Sequence, residues 1–262
     1  MARKIVITSG KGGVGKTTIT ANLGVMLSAM GLRVVLIDID FGLNNLDVVM
    51  GVENKVLYDM FDVIDGRCRT RQALISVGEK KNLYVLPSGG ARNYYNVSGQ
   101  SVKLLIDNIE PLFDYVLIDC PAGIDLGFHR AVSCADEAIV VTTPNLTSLR
   151  DADKVTSILK SYKLNSVGLI VNKARGDLMV SEKMMLPNDI VGLLKTELIG
   201  VVPESDIVLL SSGVSMPKNS DVYKAFKILS QNIHKGCRKI YDVTKKYSGV
   251  IGSIRRGLKR SV

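Results

Sequence analysis

The chain has 262 residues, 46% of them hydrophobic, with no Trp and 5% aromatics; this fits one large α/β domain with an aliphatic core better than two small domains. No apolar run reaches the roughly 20 residues of a membrane span, and Met1-Ala2-Arg3-Lys4 leads straight into a strand pattern, so the expectation is a cytosolic protein without a signal peptide. The net charge of +9 is gathered at one end: residues 235–262 hold nine Lys/Arg against one Asp, which leaves the body before them nearly neutral.

In chain order, the short apolar run Lys4–Thr8 predicts a first strand, and Thr17–Met30 has the 3.6-residue period of a helix. Between them lies Gly10-Lys11-Gly12-Gly13-Val14-Gly15-Lys16-Thr17-Thr18. Arg33–Asp38 predicts the next strand and runs into Asp40. Leu83–Leu86 follows, then a Gly-, Ser- and Asn-rich loop over Pro87–Gly99. A helix over Ser101–Ile109 leads to the strand Tyr115–Asp119, which continues as D-C-P-A-G to Gly123. Glu137–Thr143 predicts a strand, Leu146–Tyr162 a helix, and Ser166–Asn172 a strand ending in Asn172-Lys173-Ala174-Arg175. Arg175–Met179 and Ser211–Asn219 read as loops, with the strand Glu197–Val202 and the pair Pro203-Glu204 between them. A last surface helix is expected over Tyr223–Ile240. This alternation implies a mostly parallel sheet with helices on both faces. Asp38, Asp119, Thr143 and Asn172 close four strands, and ligands in such sheets bind beyond the carboxyl ends.

Gly10, Gly15, Lys16 and Thr17 meet the spacing G-x-x-x-x-G-K-[ST], after a strand and before a helix, which is the context of a P-loop. Glycines let successive N–H groups curl around phosphate oxygens, and the helix N-terminus adds partial positive charge. Lys16 would neutralise the outer phosphates and the Thr17 hydroxyl would ligate Mg²⁺. A carboxylate at a strand end beside this loop can hold Mg²⁺ through water, and one two residues on faces the same side and can position the attacking water. The sequence reading assigns Asp40 to water positioning, Asp119 to the metal shell, and Asp38 to a switch and dimer contact. An Asn amide such as that of Asn172 offers both a donor and an acceptor to a base edge. N-K also begins a guanine motif, N-K-x-D, but its fourth position here is Arg175.

K-G-G-V-G-K-T-T, Lys11 to Thr18, resembles the deviant Walker A motif of the dimeric ATPases of the MinD/ParA family. The resemblance implies ATP and Mg²⁺ as cofactors and a homodimer in the ATP state. Lys11 would reach the partner's ATP and do the work of an arginine finger. It further implies adenine binding by Asn172 with Pro203 over the ring, and a switch glycine at Gly123. The runs F-G-L-N-N-L-D-V-V-M-G-V-E, L-Y-D-M-F-D-V and D-C-P-A-G-I-D are similar to the MinD branch of the family. That branch implies placement of the division site by recruiting a MinC-like division inhibitor. It also implies regulation by a MinE-like activator or a polar anchoring protein. Alternatives are a ParA-type DNA-partitioning ATPase and a flagellar-number regulator. The first is disfavoured by the neutral body, so no specific nucleic acid is expected; the second usually carries an N-terminal extension. The four cysteines, Cys68, Cys120, Cys134 and Cys237, form no C-x-x-C pair and read as reduced thiols. A cluster shared between subunits through Cys120 and Cys134 is the alternative.

The organisation expected is an ATPase domain over 1–235 and, over 236–262, the end of the last helix followed by a basic, amphipathic membrane-targeting tail. On a helix, Tyr247, Val250, Ile251, Ile254 and Leu258 share one face, while Arg255, Arg256, Lys259 and Arg260 lie on the other. That pattern predicts an interfacial helix on an anionic membrane and a peripheral location on the inner face of the cell membrane.

Overall fold

The computed structural model describes residues 1–41, 45–78, 82–89, 97–206, 216–249 and 252–253. Among the described residues, eight strands form one sheet: β1 Arg3–Thr8, β2 Val34–Asp38, β3 Ile75–Ser76, β4 Leu83–Leu86, β5 Tyr115–Asp119, β6 Glu137–Thr142, β7 Ser166–Ala174 and β8 Glu197–Pro203. Their order is β3-β4-β2-β5-β1-β6-β7-β8, and every pairing is parallel except β3 with β4 at the edge. The chain reverses direction across the sheet beside β1, so the loop after β1 sits at a switch point open to ligands.

Both faces of the sheet are covered, which explains why the central strands are nearly all apolar. On one side Val6, Val35, Ile37, Val116, Ile118, Val140 and Val171 join a core with Ile106, Phe128 and Val155. These last three come from helices α5 (Gly99–Ile109), α6 (Leu126–Val132) and α7 (Leu146–Leu159), which follow the short helices α3 (Met60–Ile64) and α4 (Thr70–Ala73). On the other side Ile5, Ile7, Leu36, Leu117 and Ile170 pack with Ile19 and Leu23 of α1 (Lys16–Ala29) and with Phe226 and Leu229 of a later helix over Asp221–Lys235.

Three sequence expectations change. Residues 176–180 form the helix α8 (Gly176–Val180) rather than a loop. The last long helix is Asp221–Lys235, not Tyr223–Ile240; Ser220 caps its start and Gly236, at φ 65°, ends it in the left-handed conformation that favours glycine. Residues 237–247 are not a free end. Asn232 Nδ2 donates to Lys239 O while Asn232 Oδ1 accepts from Lys239 N–H, Lys246 pairs with Asp221, and Val243 belongs to the core. Tyr247 is 7% exposed and packs against Gly176. Tyr247 is therefore part of the body and not of a membrane-facing stripe, and the body extends past residue 235 to at least Tyr247. The expected membrane residues Val250, Ile251, Ile254, Leu258, Arg255, Arg256, Lys259 and Arg260 lie outside the described residues. No helix among the described residues is long and apolar enough to cross a membrane.

Candidate functional site

The loop between β1 and α1 is shaped by close contacts. A Cβ at Gly10 would overlap the backbone of Asp151 in α7, so the loop's entry lies against that helix. Gly15 has φ 96° at the start of α1, and a Cβ there would meet the Asn172 amide. The motif's glycines thus serve packing against β7 and α7 as well as an open phosphate cradle.

A cleft of about 500 Å³ opens along this loop on the carboxyl edge of the sheet. Gly12, Gly13, Gly15, Lys16, Thr17 and Thr18 line one side, Asp40 and Ala122 another, and Asn172, Pro203 and Glu204 the far end. The cleft therefore brings together most of the residues that the sequence assigned to nucleotide, though Gly10, Lys11 and Val14 do not line it. Val14 is buried beneath the loop at 3% exposure. Lys11 is exposed and lines a neighbouring cleft with Thr143 and Asn145. Its ammonium rests 3.3 Å from Thr147 Oγ1 of the same chain.

The acidic strand ends are adjacent, Asp38 on β2 in register with Asp119 on β5. Asp119 accepts from Thr17 Oγ1 at 2.6 Å and from Thr20 Oγ1 at 3.1 Å. Asp38 is 1% exposed and accepts backbone N–H groups of Asp40 at 2.8 Å and Leu46 at 3.2 Å. It ties down the start of α2 (Leu46–Val49). Enclosed in this way, Asp38 holds the Asp40 segment, which suits a switch. Burial pushes both carboxyls above their ordinary range. For Asp38 the charge of Asp119 adds to this; for Asp119 the Thr17 hydroxyl and Lys16 pull back. Gly123, at φ 92°, donates its N–H to Ser9 O at 3.4 Å, which holds the loop after β5 against the end of β1.

The donor set fits a magnesium ion that arrives with phosphate. Thr17 and Asp119 supply a hydroxyl and a carboxylate side by side. Among the described residues no group of three His, Cys, Asp or Glu side chains could hold a metal unaided. Magnesium is commonly bound through one or two carboxylates plus substrate phosphates. Cys120 and Cys134 are each 1% exposed, so neither thiol reaches a surface to share a cluster; burial pushes Cys120 up to about 12.

Several cleft residues were missed by sequence reasoning. Thr20 lies one helical turn beyond Lys16, and nothing in a general motif marks it. Val48, Val49 and Phe226 form the apolar wall, and only the fold places them here. Arg175, read from sequence only as a position that excludes guanine, makes a two-point contact with Asp177 at 3.0 and 2.7 Å and reaches Glu204 at 3.5 Å.

The family model described as the CobQ/CobB/MinD/ParA nucleotide binding domain matches residues 5–217. The chain belongs to this family. Within the MinD/ParA family it is 38% identical to the septum site-determining protein MinD of Synechocystis, over 98% of this chain and 99% of that protein. It is 43% identical to MinD of Bacillus subtilis, over 89% and 88%. Two solved structures share its fold closely. The MinC:MinD complex of Aquifex aeolicus has a TM-score of 0.82 and 36% identity, covering 89% of this chain and 96% of that one. MinD of Pyrococcus horikoshii complexed with Mg-ADP has 0.80 and 32%, covering 90% and 97%.

Proposed function

We propose that this chain is an ATP-driven dimerising switch that helps to place the division site by holding a MinC-like inhibitor at the membrane. The observation that carries the reading is the second loop lysine. Lys11 is exposed and lines a neighbouring cleft rather than the one lined by Lys16, which is 9% exposed. A lysine so placed suits a site completed by a second copy. Exposed apolar residues on the same edge support this: Ile124 at 44%, Leu126 at 79% and Leu146 at 74%. The MinD relatives support division-site placement, and the Aquifex MinC:MinD complex supports an inhibitor of the MinC kind as partner.

In this reading the loop amides and Lys16 hold the phosphates, Thr17 and Asp119 hold Mg²⁺, and Asp40 orients the attacking water. When bound, the ion neutralises charge on the phosphate oxygens. Lys11 completes the partner's site, and Asp38 transmits the state of Asp40 to α2. The basic end supplies the output. One short amphipathic segment binds weakly, because its ordering cost opposes roughly 1 kcal/mol per basic residue near anionic lipid. Two on one dimer gain roughly 10²–10⁴-fold through effective concentration. ATP thus favours attachment and hydrolysis favours release, with a MinE-like activator or a polar anchoring protein as regulator.

ATPase assays with and without anionic vesicles test the enzymatic core of this reading. Lys16→Ala abolishes nucleotide binding, whereas Lys11→Ala keeps binding and loses turnover. Full turnover in the Lys11 variant would remove the shared-site reading.

A further inference from the structure

The backbone at Asp40 is held at two points: its N–H donates to Asp38 Oδ1 at 2.8 Å, and Ser88 Oγ donates to its carbonyl at 3.4 Å. A further restraint acts on the next residue. The Phe41 ring is 5% exposed and meets the Phe61 ring of α3 edge-on, with centroids 4.9 Å apart and planes at 62°. The guanidinium of Arg130, on α6, lies over the same ring, its Cζ 4.9 Å from the centroid. A cation within about 6 Å of a ring centroid is attracted by the negative face of the π-system. Phe41 is therefore gripped by an aromatic ring and by a charge, each from a different helix.

Arg130 is shaped for that place. A Cβ on Gly99, the first residue of α5, would stand 3.8 Å from Arg130 Cγ, so the arginine stem runs against the start of that helix. Among the described residues the guanidinium makes no hydrogen bond or ion pair, and burial holds its pKa below the ordinary arginine value. A charge partly removed from water gains more from an aromatic face than an exposed one does. The Asp125 carboxylate, which caps the start of α6, acts on the same charge. Arg130 thus spans two loops at the carboxyl edge of the sheet. Its helix continues from the loop that carries Gly123, and its head group rests on the residue after Asp40.

We infer that Arg130 is a positioning residue for hydrolysis: by capping the Phe41 ring it fixes the segment that aims Asp40 at the attacking water, and it ties that segment to the helix after Gly123. This rests on the water-positioning role proposed for Asp40 and deepens it. The hold on the nucleotide falls to the loop amides and Lys16, so the clamp acts on geometry at the reacting phosphate and not on affinity. Loss of the cation lowers kcat and leaves nucleotide binding in place.

Steady-state ATP hydrolysis by the full chain, beside calorimetric titration of Mg-ADP, tests it. The comparison is of wild type with Arg130→Met, Arg130→Lys, Phe41→Leu, the double variant Phe41→Leu/Arg130→Met, and Asp40→Ala. Met keeps the arginine stem without its charge, and unchanged thermal unfolding verifies the fold. The expected result for Arg130→Met is a kcat lowered about fivefold, the scale of one partly buried cation–π contact, with Mg-ADP affinity within about twofold of wild type. Arg130→Lys keeps a cation over the ring and restores most of the rate. Phe41→Leu lowers kcat too, and adding Arg130→Met to it brings no further fall, because the two residues act through one contact. Unchanged kcat in Arg130→Met, alongside lost turnover in Asp40→Ala, would overturn the inference and leave the role of Asp40 standing. A full further fall in the double variant, or a loss of affinity that matches the loss of rate, would also overturn it. Full turnover in Asp40→Ala would remove the role of Asp40 itself and this inference with it.

Discussion

Replacing Tyr247 by Ala separates a structural C-terminal segment from a membrane-facing one. The ring is 7% exposed against Gly176, beside Val243 at 5% exposure. Truncating a large buried aromatic costs about 3–5 kcal/mol where the surroundings cannot relax. Here the loss is capped, because the segment after Gly236 can leave and recover about 1–2 kcal/mol of backbone entropy per freed residue. The Lys246–Asp221 pair is partly exposed, with side chains at 44% and 32%, and adds little. A net loss of about 2–3 kcal/mol follows, or roughly 4–10 °C in a domain of this size. Scanning calorimetry reads the shift, and trypsin cleavage after Lys245 and Lys246 reads release of the segment. Tyr247→Phe keeps the ring and stays within about 1 kcal/mol of wild type. Unchanged melting and cleavage in Tyr247→Ala, together with weaker vesicle binding, would refute the docking and return Tyr247 to the membrane face.

Other predictions follow from single contacts. Gly10→Ala forces α7 away from the loop, since its Cβ would overlap the Asp151 backbone; a melting point lowered by several degrees, with nucleotide affinity lost in parallel, is the expected outcome in a titration followed by melting. Thr20→Val removes a hydroxyl from buried Asp119 and lowers stability by about 1.5–3 kcal/mol, the range for a hydrogen bond to a charged group, measurable by urea unfolding. Arg3 contacts Glu137 at 2.7 Å through both carboxylate oxygens and holds its carboxyl below the ordinary value of 4.5. A depressed carboxyl contributes stability above its unfolded value and loses it as pH falls through the folded one. Glu137→Gln therefore flattens the loss of stability below pH 4.5, as read by unfolding midpoints across pH.

The phosphate loop was legible because its signal is local: a strand, a glycine-rich turn and a helix lie within about two dozen residues, and the chemistry demands those residue types in that order. Asp38, Asp40 and Asp119 were legible because polar residues closing apolar strands point to one edge. The residues that aim or wall the site were not. Thr20 matters only because β5 lies beside β1, and Phe226 only because its helix folds back onto α1. The left-handed turn at Lys173, φ 54°, has no sequence signature, since Lys rarely adopts it. Short helices such as α2, α8 and Met60–Ile64 are too brief for a 3.6-residue period to register. Tyr247 misled because helical spacing groups it with Val250 and Ile254, while tertiary packing takes it into the body. Gly236 was the available warning that the last helix stops early.

Sedimentation with anionic vesicles, comparing ATP with ADP for the full chain and for a chain ending at Gly249, bears most directly on the switch. Tyr247 and its contact with Gly176 are retained in the shorter chain, and unchanged melting of that chain serves as the control for its fold. The account predicts strong pelleting of the full chain with ATP, little with ADP, and little for the shorter chain with either. Equal pelleting with both nucleotides, or full pelleting without residues 250–262, would contradict it.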